Sequence, residues 1–370
     1  PKAVHIIKIV GSDAVGIRTN DLYYMNRFGQ VVWQEPRGIR AGFKVPQFSI
    51  HRGALQKLLY DAVVKRLGPD AVRTGRRLQG FIEDEGGVTA HFADSRWGEQ
   101  GESLRADVLV GADGIHSLVR GHFYPNQGSP SWNGIKMWRG AVDWPKFLDG
   151  DSMIIAGGMQ AKLVLYPIAA GLRPDTRLTN WVVNVRIGDP NHPPPRETWS
   201  RTGRFEDVLP FARRFQVPGV DVISMIKKTE TFWEYPMCDR DALPRWTHGR
   251  VTLLGDAAHP MYPVGSNGAS QAILDARCLA DCLAHAEHPR HGLAQYEAER
   301  LPKTAEIVAL NRLGGPERVI DAVEELAPHG FDDVERVLSY AKREAIVRSY
   351  AGKAGFTQAA VNAKARVRPH

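Results

Sequence analysis

A turn rich in glycine and proline, set between an apolar strand and a long amphipathic helix, constrains this chain more than any other feature. The segment reads RVTLLGDAAHPMYPVGSNGASQAILDARCLADCL over residues 250–283. VTLL predicts a short buried strand that ends at Gly255 and Asp256. Further glycines and prolines follow before the helix, and at this density they fix one backbone shape. The glycines and prolines between the strand and the helix are Pro260, Pro263, Gly265 and Gly268. The segment therefore predicts a strand–turn–helix unit of an α/β fold.

The start of this predicted helix is suited to binding an anion. The first amides of a helix have no intrahelical acceptor, and the positive end of the helix dipole favours a phosphate or a delocalised anion. Asp256, at the carboxyl end of the strand, suits a ribose hydroxyl. The alternative is an N-cap loop in which Ser266 or Asn267 caps the helix. The density of glycine and proline favours the ligand-binding interpretation.

Two other segments could carry binding chemistry. The strand ADVLV at 106–110 runs into GADG at 111–114, where Asp113 could accept hydrogen bonds from helix amides or from a ligand. On this segment alone, a capped strand-to-helix turn is the favoured interpretation. Arg52 begins a helix predicted over 53–67, although acidic residues complement the dipole at that end. Arg52 is therefore directed either at an anionic ligand or at solvent, and local sequence favours neither.

The remaining pattern predicts a mixed architecture. Aromatic and β-branched residues at 22–33 predict a β-hairpin, and 135–187 contains successive strand-like runs without a long helix. We interpret 135–187 as an antiparallel sheet inserted between two α/β portions. Helices are predicted at 317–327 and 332–350, the second capped by Asp332.

Composition excludes several classes of function. The net charge is +7, but the lysines and arginines are dispersed, so nucleic-acid binding is disfavoured. No apolar stretch approaches the roughly 20 residues needed to span a bilayer. Cys278 and Cys282 lack a second ligand pair, so a metal site is not expected and both read as structural thiols. The chain has three cysteines, which are too few for a disulfide framework, so a reducing, cytoplasmic location is expected.

Taken together, these segments resemble the class A flavoprotein aromatic hydroxylases, which are FAD-dependent monooxygenases. GADG resembles the family's DG motif, LGDAAHPMYPVGSNGASQAILDA at 254–276 its GD motif and flavin-ring loop, and SIHRGALQ at 49–56 its pyrophosphate-contacting arginine helix. WQEPRG, FSIHRG, KMWRG, FLDG and RFEDVLPF are similar to the phenazine-modifying branch, the 5-methylphenazine-1-carboxylate 1-monooxygenase-like enzymes. The sequence departs from the common pattern at Ser270, where the family usually has asparagine.

The resemblance implies a fold. It implies a doubly wound α/β FAD-binding domain with an inserted, mostly antiparallel β-sheet substrate domain and C-terminal helices. The expected boundaries place part of the FAD-binding domain at 1–130, with the hairpin joining the substrate sheet. The substrate domain is expected at 131–235, the second part of the FAD-binding domain at 236–300, and a helical region at 301–370.

The opening residues imitate a dinucleotide fingerprint without matching it. Residues 6–16, IIKIVGSDAVG, contain G-x4-G with Asp13 in place of the middle glycine. Glu35 stands at a suitable distance for a ribose-binding acid, but a predicted hairpin replaces the required helix. By similarity this stretch aligns downstream of the true fingerprint. We therefore expect the family's first βαβ unit, about fifty residues, to be missing from this sequence.

The resemblance also implies the chemistry. NADH or NADPH reduces FAD, O2 forms a flavin C4a-hydroperoxide, and a small aromatic, carboxylated substrate is hydroxylated without a catalytic side chain. A homodimer is compatible with this family. The rival hypothesis is a truncated, flavin-free relative that binds aromatic ligands or partners without redox activity.

The implied site residues fall into two groups. Arg139 could pair with a substrate carboxylate or, as an alternative, with an Asp or Glu. The implied substrate contacts are Met137, Trp138, Arg139, Tyr235 and Tyr262. The implied cofactor contacts are Arg52, Gln56, Asp113, Gly114, Gly255, Asp256, Pro263, Gly265, Ser266, Asn267, Gly268 and Ala269.

Overall fold

Among the described residues, nearly all strands lie in the first two thirds of the protein, and most helical residues lie in the last third. The computed structural model describes residues 3–4, 12–94, 100–189, 201–353 and 357–364. Within these ranges the strands are β1 (Ala3–Val4), β2 (Gly16–Arg18), β3 (Asp21–Met25), β4 (Val31–Pro36), β5 (Phe48–Ile50), β6 (Arg76–Asp84), β7 (Gly87–Asp94), β8 (Gln100–Ala106), β9 (Leu109–Gly111), β10 (Ser131–Pro145), β11 (Met153–Ala156), β12 (Ala161–Ala170), β13 (Thr176–Arg186), β14 (Trp233–Asp239) and β15 (Val251–Leu253). The helices are α1 (Ser12–Val15), α2 (Arg52–Leu67), α3 (Leu118–Phe123), α4 (Phe205–Ala212), α5 (Val222–Lys227), α6 (Gly268–His285), α7 (Pro289–Arg312), α8 (Arg318–Leu326), α9 (Val334–Val337), α10 (Tyr340–Lys353) and α11 (Gln358–Lys364).

A large sheet occupies the centre of the described structure. Its strand order is β14-β10-β13-β12-β11-β3-β4, and its neighbours are antiparallel except for the parallel pair β11 and β3. The predicted antiparallel sheet and the predicted hairpin, now β3 and β4, are therefore confirmed. The hairpin joins the edge of this sheet, as expected.

The two faces of the large sheet have different neighbours because side chains alternate along each strand. On one face Trp138, Leu163, Trp181 and Val183 are almost fully buried in a core completed by α4 and α5. The Trp181 indole donates to the Thr229 hydroxyl at 2.9 Å, which satisfies its polar atom within that core. On the opposite face, α8 and α10 cover part of the sheet, where Ile168 is buried with Val319 and Ile320.

Two parallel strands bring the two glycine turns together. β9 and β15 pair in parallel, with Val251 opposite Leu109 and Leu253 opposite Gly111. The Leu254 amide then donates to the Gly111 carbonyl at 2.9 Å, so GADG and the Gly255 turn leave the pair side by side. Among the described residues this part of the molecule has only these two parallel strands, which is narrower than a doubly wound sheet.

The helix predicted over 53–67 is present as α2, but its burial differs from the prediction. Leu55 is buried against Ile50 and Ile273. Leu59 is 41% exposed and Leu67 is 74% exposed, so the apolar face extends well beyond the contact made by Leu55. Helical spacing predicted the helix correctly and overestimated its packing.

The helix predicted over 332–350 is broken into α9 and α10. At the break, the Glu335 carboxylate accepts the amide of Tyr340, the first residue of α10, at 2.8 Å. The cap of α9 is Asp333, whose carboxylate accepts the Glu335 amide at 2.9 Å. The predicted cap at Asp332 is therefore wrong by one residue.

Two of the expected domain boundaries fall inside regular elements. β14 runs through the boundary at 235/236, so the large sheet extends to Asp239. α7 runs through the boundary at 300/301. Residues 6–11 of the fingerprint-like stretch lie outside the described residues. No helix in the described part of the chain combines the length and the apolar composition needed to cross a membrane.

Candidate active site

A cavity that opens to solvent lies between the sheet face that carries Met137 and Arg139 and the turn that follows β15. We call residues 255–267 the roof turn. Asp256, Pro263, Val264 and Ser266 of the roof turn line the cavity. The floor is formed by side chains of β10, β12 and β13 that share one sheet face, namely Met137, Arg139, Lys162, Val164, Tyr166, Val182 and Asn184.

The roof turn is held in an unusual backbone conformation. Gly265 and Ser266 have φ values of 65° and 56°, so two successive residues occupy the left-handed region. For Ser266 this conformation costs energy and needs support from its surroundings. A Cβ at Gly265 would lie 2.6 Å from the Tyr350 hydroxyl, so only glycine fits there.

A buried polar network anchors the start of the roof turn. The Asp275 carboxylate binds the His259 ring, accepts from Arg300 Nε at 2.7 Å and accepts the Gly255 amide at 3.2 Å. Burial alone would raise the pKa of Asp275, but the hydrogen bonds and charges of His259 and Arg300 hold it below its ordinary value. A charged Asp275 therefore fixes Gly255, and with it the position of Asp256.

A second anchor comes from α3. The Arg120 guanidinium donates to the carbonyls of Ala257 at 3.1 Å and Ala258 at 2.9 Å. Burial lowers the pKa of Arg120 to about 10, and the nearby Arg240 charge adds to this effect. The helix that follows GADG thus holds the backbone of the roof turn.

The end of the roof turn is anchored from the C-terminal helices. The Asn267 side chain donates to the Tyr350 hydroxyl, which donates to Asn311 Oδ1 at 2.7 Å. Asn311 Nδ2 donates in turn to the Tyr262 carbonyl at 3.0 Å. Asn267 occupies the N-cap position of α6 but makes no capping bond, and Ser266 lines the cavity instead. The N-cap alternative for this segment is therefore wrong.

The GADG turn contributes support rather than cavity wall. The Asp113 carboxylate accepts the Leu118 amide at 2.7 Å and the Val119 amide at 3.4 Å, at the start of α3. Of the two roles expected for Asp113, the structure shows the one in which its carboxylate accepts hydrogen bonds from helix amides. Gly114 has a φ of 82°, and neither residue lines the cavity.

Arg52 and Asp256 bring charge to the cavity. Both side chains line it, both are exposed, and neither forms an ion pair with a described residue. Gln56, one turn further along α2, is exposed and does not line the cavity. Gly268 begins α6, while Ala269 packs with Leu55.

Arg139 is the central polar group of the floor. Its Nη1 donates to the Tyr235 hydroxyl at 2.9 Å, and its Nη2 contacts Asn180 Oδ1 at 3.5 Å. Within the described part of the chain no Asp or Glu pairs with Arg139, so nothing there supports the alternative of an internal salt bridge. The described partners of Arg139 are therefore the neutral groups of Tyr235 and Asn180.

The other substrate candidates divide between the cavity and its surroundings. Met137 and Tyr235 line the cavity. Trp138 lies on the opposite sheet face, where its indole donates to Glu234 at 3.0 Å, because neighbouring residues of a strand point in opposite directions. Tyr262 is buried behind the wall, packed with Met137 and Tyr235, and does not line the cavity.

The sequence did not reveal several residues that line the cavity, among them Lys162, Asn184 and Glu317. Lys162 and Glu317 form a buried ion pair, and Glu317 Oε1 accepts the Gly265 amide at 3.2 Å. Burial lowers the pKa of Lys162 to about 8, although the Asp321 carboxylate acts in the opposite direction. The Asn184 Oδ1 atom is buried without a hydrogen-bond partner. A lysine in the apolar run KLVLYPI and the asparagines of NWVVN were available signals, because both types are rare in buried strands.

The described residues contain no group of three or more His, Cys, Asp or Glu side chains arranged to hold a metal. Cys278 and Cys282 lie on one turn of α6 with their Sγ atoms 3.9 Å apart. Burial, together with Cys282, raises the pKa of the Cys278 thiol to about 12. A thiol with a raised pKa is mostly protonated at neutral pH and therefore weakly reactive.

Comparison with known proteins identifies the family. A family profile described as "FAD binding domain" matches residues 46–311, a range that contains Arg52, GADG, the cavity and the roof turn. The chain belongs to the FAD-dependent aromatic hydroxylases. As in the other flavoprotein monooxygenases of this family, its cofactor is FAD.

Three curated relatives of this hydroxylase carry names that specify an aromatic acid as the substrate. It is 45% identical to phenazine 1,6-dicarboxylic acid hydroxylase PhzS of Lysobacter antibioticus, over 81% of this chain and 74% of that protein. It is 31% identical to 3-hydroxybenzoate 6-hydroxylase 1 of Aquipseudomonas alcaligenes, over 84% and 76%. Against 3-amino-4-hydroxybenzoate 2-monooxygenase PtmB3 of Streptomyces platensis it is 34% identical over 74% of this chain, but spans only 64% of that relative.

Solved structures confirm the fold. Klebsiella pneumoniae HpxO complexed with FAD and uric acid matches this hydroxylase with a TM-score of 0.68 and 22% identity, over 94% of this chain and 82% of HpxO. A salicylate hydroxylase substrate complex matches with a TM-score of 0.69 and 20% identity, over 98% and 86%. The predicted α/β class with C-terminal helices is therefore confirmed.

Proposed function

We propose that this hydroxylase adds oxygen to a planar aromatic carboxylate bound over Arg139, using FAD, a reduced nicotinamide and O2. The observation that carries the proposal is the Arg139 guanidinium in the cavity floor, bonded to the neutral groups of Tyr235 and Asn180. A guanidinium pairs with a carboxylate through two parallel hydrogen bonds, and such pairs fix geometry as well as charge.

The described residues fit FAD on the roof side of the cavity. The first turn of α6 presents amides without intrahelical acceptors and the positive end of its dipole, which suit the electron-rich edge of a reduced flavin. Arg52 and Asp256, both without an ionic partner among the described residues, suit the pyrophosphate and a phosphate or ribitol hydroxyl. Gly255 and Gly265, both at positive φ, allow the backbone to approach a ligand closely.

The overall reaction converts an aromatic C–H to C–OH. It consumes O2, reduced nicotinamide and a proton, and it releases oxidised nicotinamide and water. Bound FAD supplies the activated oxygen. The chain's own residues orient the ring through Arg139 and exclude water with the apolar side chains of Ile155, Val164 and Val182.

Asn184 supplies a second polar contact for the substrate. Its buried Oδ1 lacks a partner and lies on the same sheet face as Arg139, two residues along from Val182, which is the register partner of Arg139. A buried acceptor without a partner costs about 1–3 kcal/mol, which a ligand donor would recover. A ring that carries a hydroxyl or amino donor would satisfy Asn184, while the 45% identity to a phenazine 1,6-dicarboxylic acid hydroxylase favours phenazine carboxylates as substrates.

A panel of aromatic acids tests the proposal. FAD-loaded protein is assayed for substrate-stimulated NADH and NADPH oxidation with phenazine-1-carboxylate, phenazine-1,6-dicarboxylate, 3-hydroxybenzoate and the amide of each. We expect a phenazine carboxylate to stimulate oxidation and yield hydroxylated product, while its amide does so poorly. Stimulation by the neutral compounds alone would contradict a carboxylate-binding role for Arg139.

A further inference from the structure

The buried pair of Lys162 and Glu317 joins three separate parts of the molecule. Lys162 comes from β12 in the cavity floor, and Glu317 precedes α8 in the C-terminal region. Both side chains are about 95% buried and both line the cavity. The second carboxylate oxygen of Glu317 accepts the Gly265 amide at 3.2 Å, which brings in the roof turn.

A neighbouring contact also holds the segment that carries Glu317 against β12. The Asp321 carboxylate, one turn after Glu317, accepts the Met159 amide at 2.8 Å, just before β12 begins. Gly315 lies so close to Val264 that a Cβ there would be 2.8 Å from the valine side chain. The segment from Gly315 to Asp321 therefore packs on the roof turn and on the floor strand at once.

The position of Glu317 matters because of the backbone it holds. Gly265 and Ser266 are two successive residues of the roof turn at positive φ, and Ser266 forms part of the cavity wall. A strained backbone persists only where its surroundings over-determine it. The Glu317 carboxylate binds the first of these two residues directly.

We propose that Glu317 is a positioning residue, which holds the roof turn at Gly265 in the shape needed over the substrate, and that Lys162 holds the Glu317 carboxylate in place. The effect of Glu317 on the reaction rests on the proposed function, whereas its effect on the backbone of the roof turn does not. The pair thereby links the substrate floor to the flavin side of the cavity.

Two double variants separate the hydrogen bond from the charge. Lys162→Met/Glu317→Gln removes both charges and keeps an acceptor for the Gly265 amide. Lys162→Met/Glu317→Met removes both charges and the acceptor. Neither leaves a lone buried charge, which would destabilise the fold by itself. Lys136→Met is the control, because Lys136 pairs with buried Glu234 at 2.7 Å on the opposite face of the same sheet.

The first measurement is hydrogen exchange of the peptide containing Gly265, in the FAD-loaded protein and without substrate. We expect the Gln double variant and Lys136→Met to exchange within about twofold of the wild type. The Met double variant should exchange roughly five- to tenfold faster, since a lost hydrogen bond of about 1 kcal/mol corresponds to such a factor. Equal exchange in the two double variants would overturn the positioning role.

The second measurement is coupling, the hydroxylated product formed per nicotinamide oxidised. We expect the Met double variant to lose at least half of the coupling with a substrate KM within threefold of the wild type, and the Gln double variant to retain coupling. Unchanged coupling in the Met double variant would overturn the catalytic consequence. If the wild type hydroxylates no aromatic acid while exchange still separates the two double variants, the proposed function fails and the positioning of the roof turn stands.

Discussion

The Arg139 guanidinium donates to the Tyr235 hydroxyl at 2.9 Å across two neighbouring strands, β10 and β14. This bond fixes the orientation of a cation without neutralising it. The cavity floor therefore presents a preorganised positive group, and an anionic substrate would meet it without first displacing a carboxylate of the described residues.

Replacing Arg139 should affect carboxylate substrates selectively. We expect Arg139→Leu to raise the KM of an aromatic carboxylate by ten- to a hundredfold, about 1.5–3 kcal/mol, because a charged hydrogen bond is lost. The KM of the matching amide and of reduced nicotinamide should change little. Steady-state kinetics checks this, with Arg173→Leu, at an exposed ion pair, as the control. Equal losses for acid and amide would make Arg139 a structural residue.

Asp256 should contribute to FAD affinity. Its side chain lines the cavity at the end of β15, and its backbone is fixed by the bond from Gly255 to Asp275. We expect Asp256→Ala to weaken FAD binding by roughly 1–3 kcal/mol. Titration of apoprotein with FAD, followed by flavin fluorescence, measures this, and Asp61→Ala on exposed α2 should have no effect. Unchanged affinity in a stable Asp256→Ala protein would place the cofactor contact elsewhere.

The shape of the roof turn should tolerate no side chain at Gly265. An L-residue at positive φ costs about 1–2 kcal/mol, and at Gly265 a new Cβ would also meet Tyr350. Gly219 is the matched control, because its φ is 74° and nothing lies within 4 Å of a Cβ there. Urea unfolding should show a loss of about 1–2 kcal/mol for Gly219→Ala and a clearly larger one for Gly265→Ala. Equal losses would mean that the contact with Tyr350 is not restrictive.

The Asp275 network should make stability depend on acid pH. The folded pKa of Asp275 lies below its ordinary value of 3.8, so its contribution is complete above that pH and is lost as the pH falls further. We expect Asp275→Asn to lower the free energy of unfolding by about 3–5 kcal/mol at neutral pH, because Arg300 is left buried without its partner.

The difference between the wild type and Asp275→Asn should then shrink below about pH 4. Denaturant unfolding at several pH values measures it. Asp281→Asn, on the exposed face of the same helix, should cost at most about 1 kcal/mol. A pH-independent difference would show that the Asp275 charge is not what stabilises the network.

The parts of the site that are local in sequence were predicted well. Gly255, Gly265 and the prolines between them specify a turn through their own backbone restrictions, so the roof turn could be located from the sequence. Alternation along β10 should also have separated Arg139 from Trp138, since adjacent strand residues face opposite sides. The two residues therefore could not both contact a substrate bound on one face of the sheet.

The parts that depend on distant contacts could not be predicted. Lys162 and Glu317 are 155 residues apart, and nothing near GGPERV indicates that its glutamate meets a lysine on a strand. The exposed apolar face of α2 could not be predicted either, because helical spacing indicates an apolar face but not what covers it. At the break after α9, the Glu335 carboxylate caps a later helix, which a periodic pattern does not show.

Isotope transfer from oxygen gas tests the central claim most directly. FAD-loaded wild type and Arg139→Leu are incubated with reduced nicotinamide, phenazine-1-carboxylate and ¹⁸O₂, and the product is analysed by mass spectrometry. The account predicts one ¹⁸O atom in a new ring hydroxyl for the wild type, and a rate at least tenfold lower for the variant at low substrate concentration. Nicotinamide oxidation that yields only peroxide with every aromatic acid in the panel, or labelled product formed equally well by the variant, would contradict it.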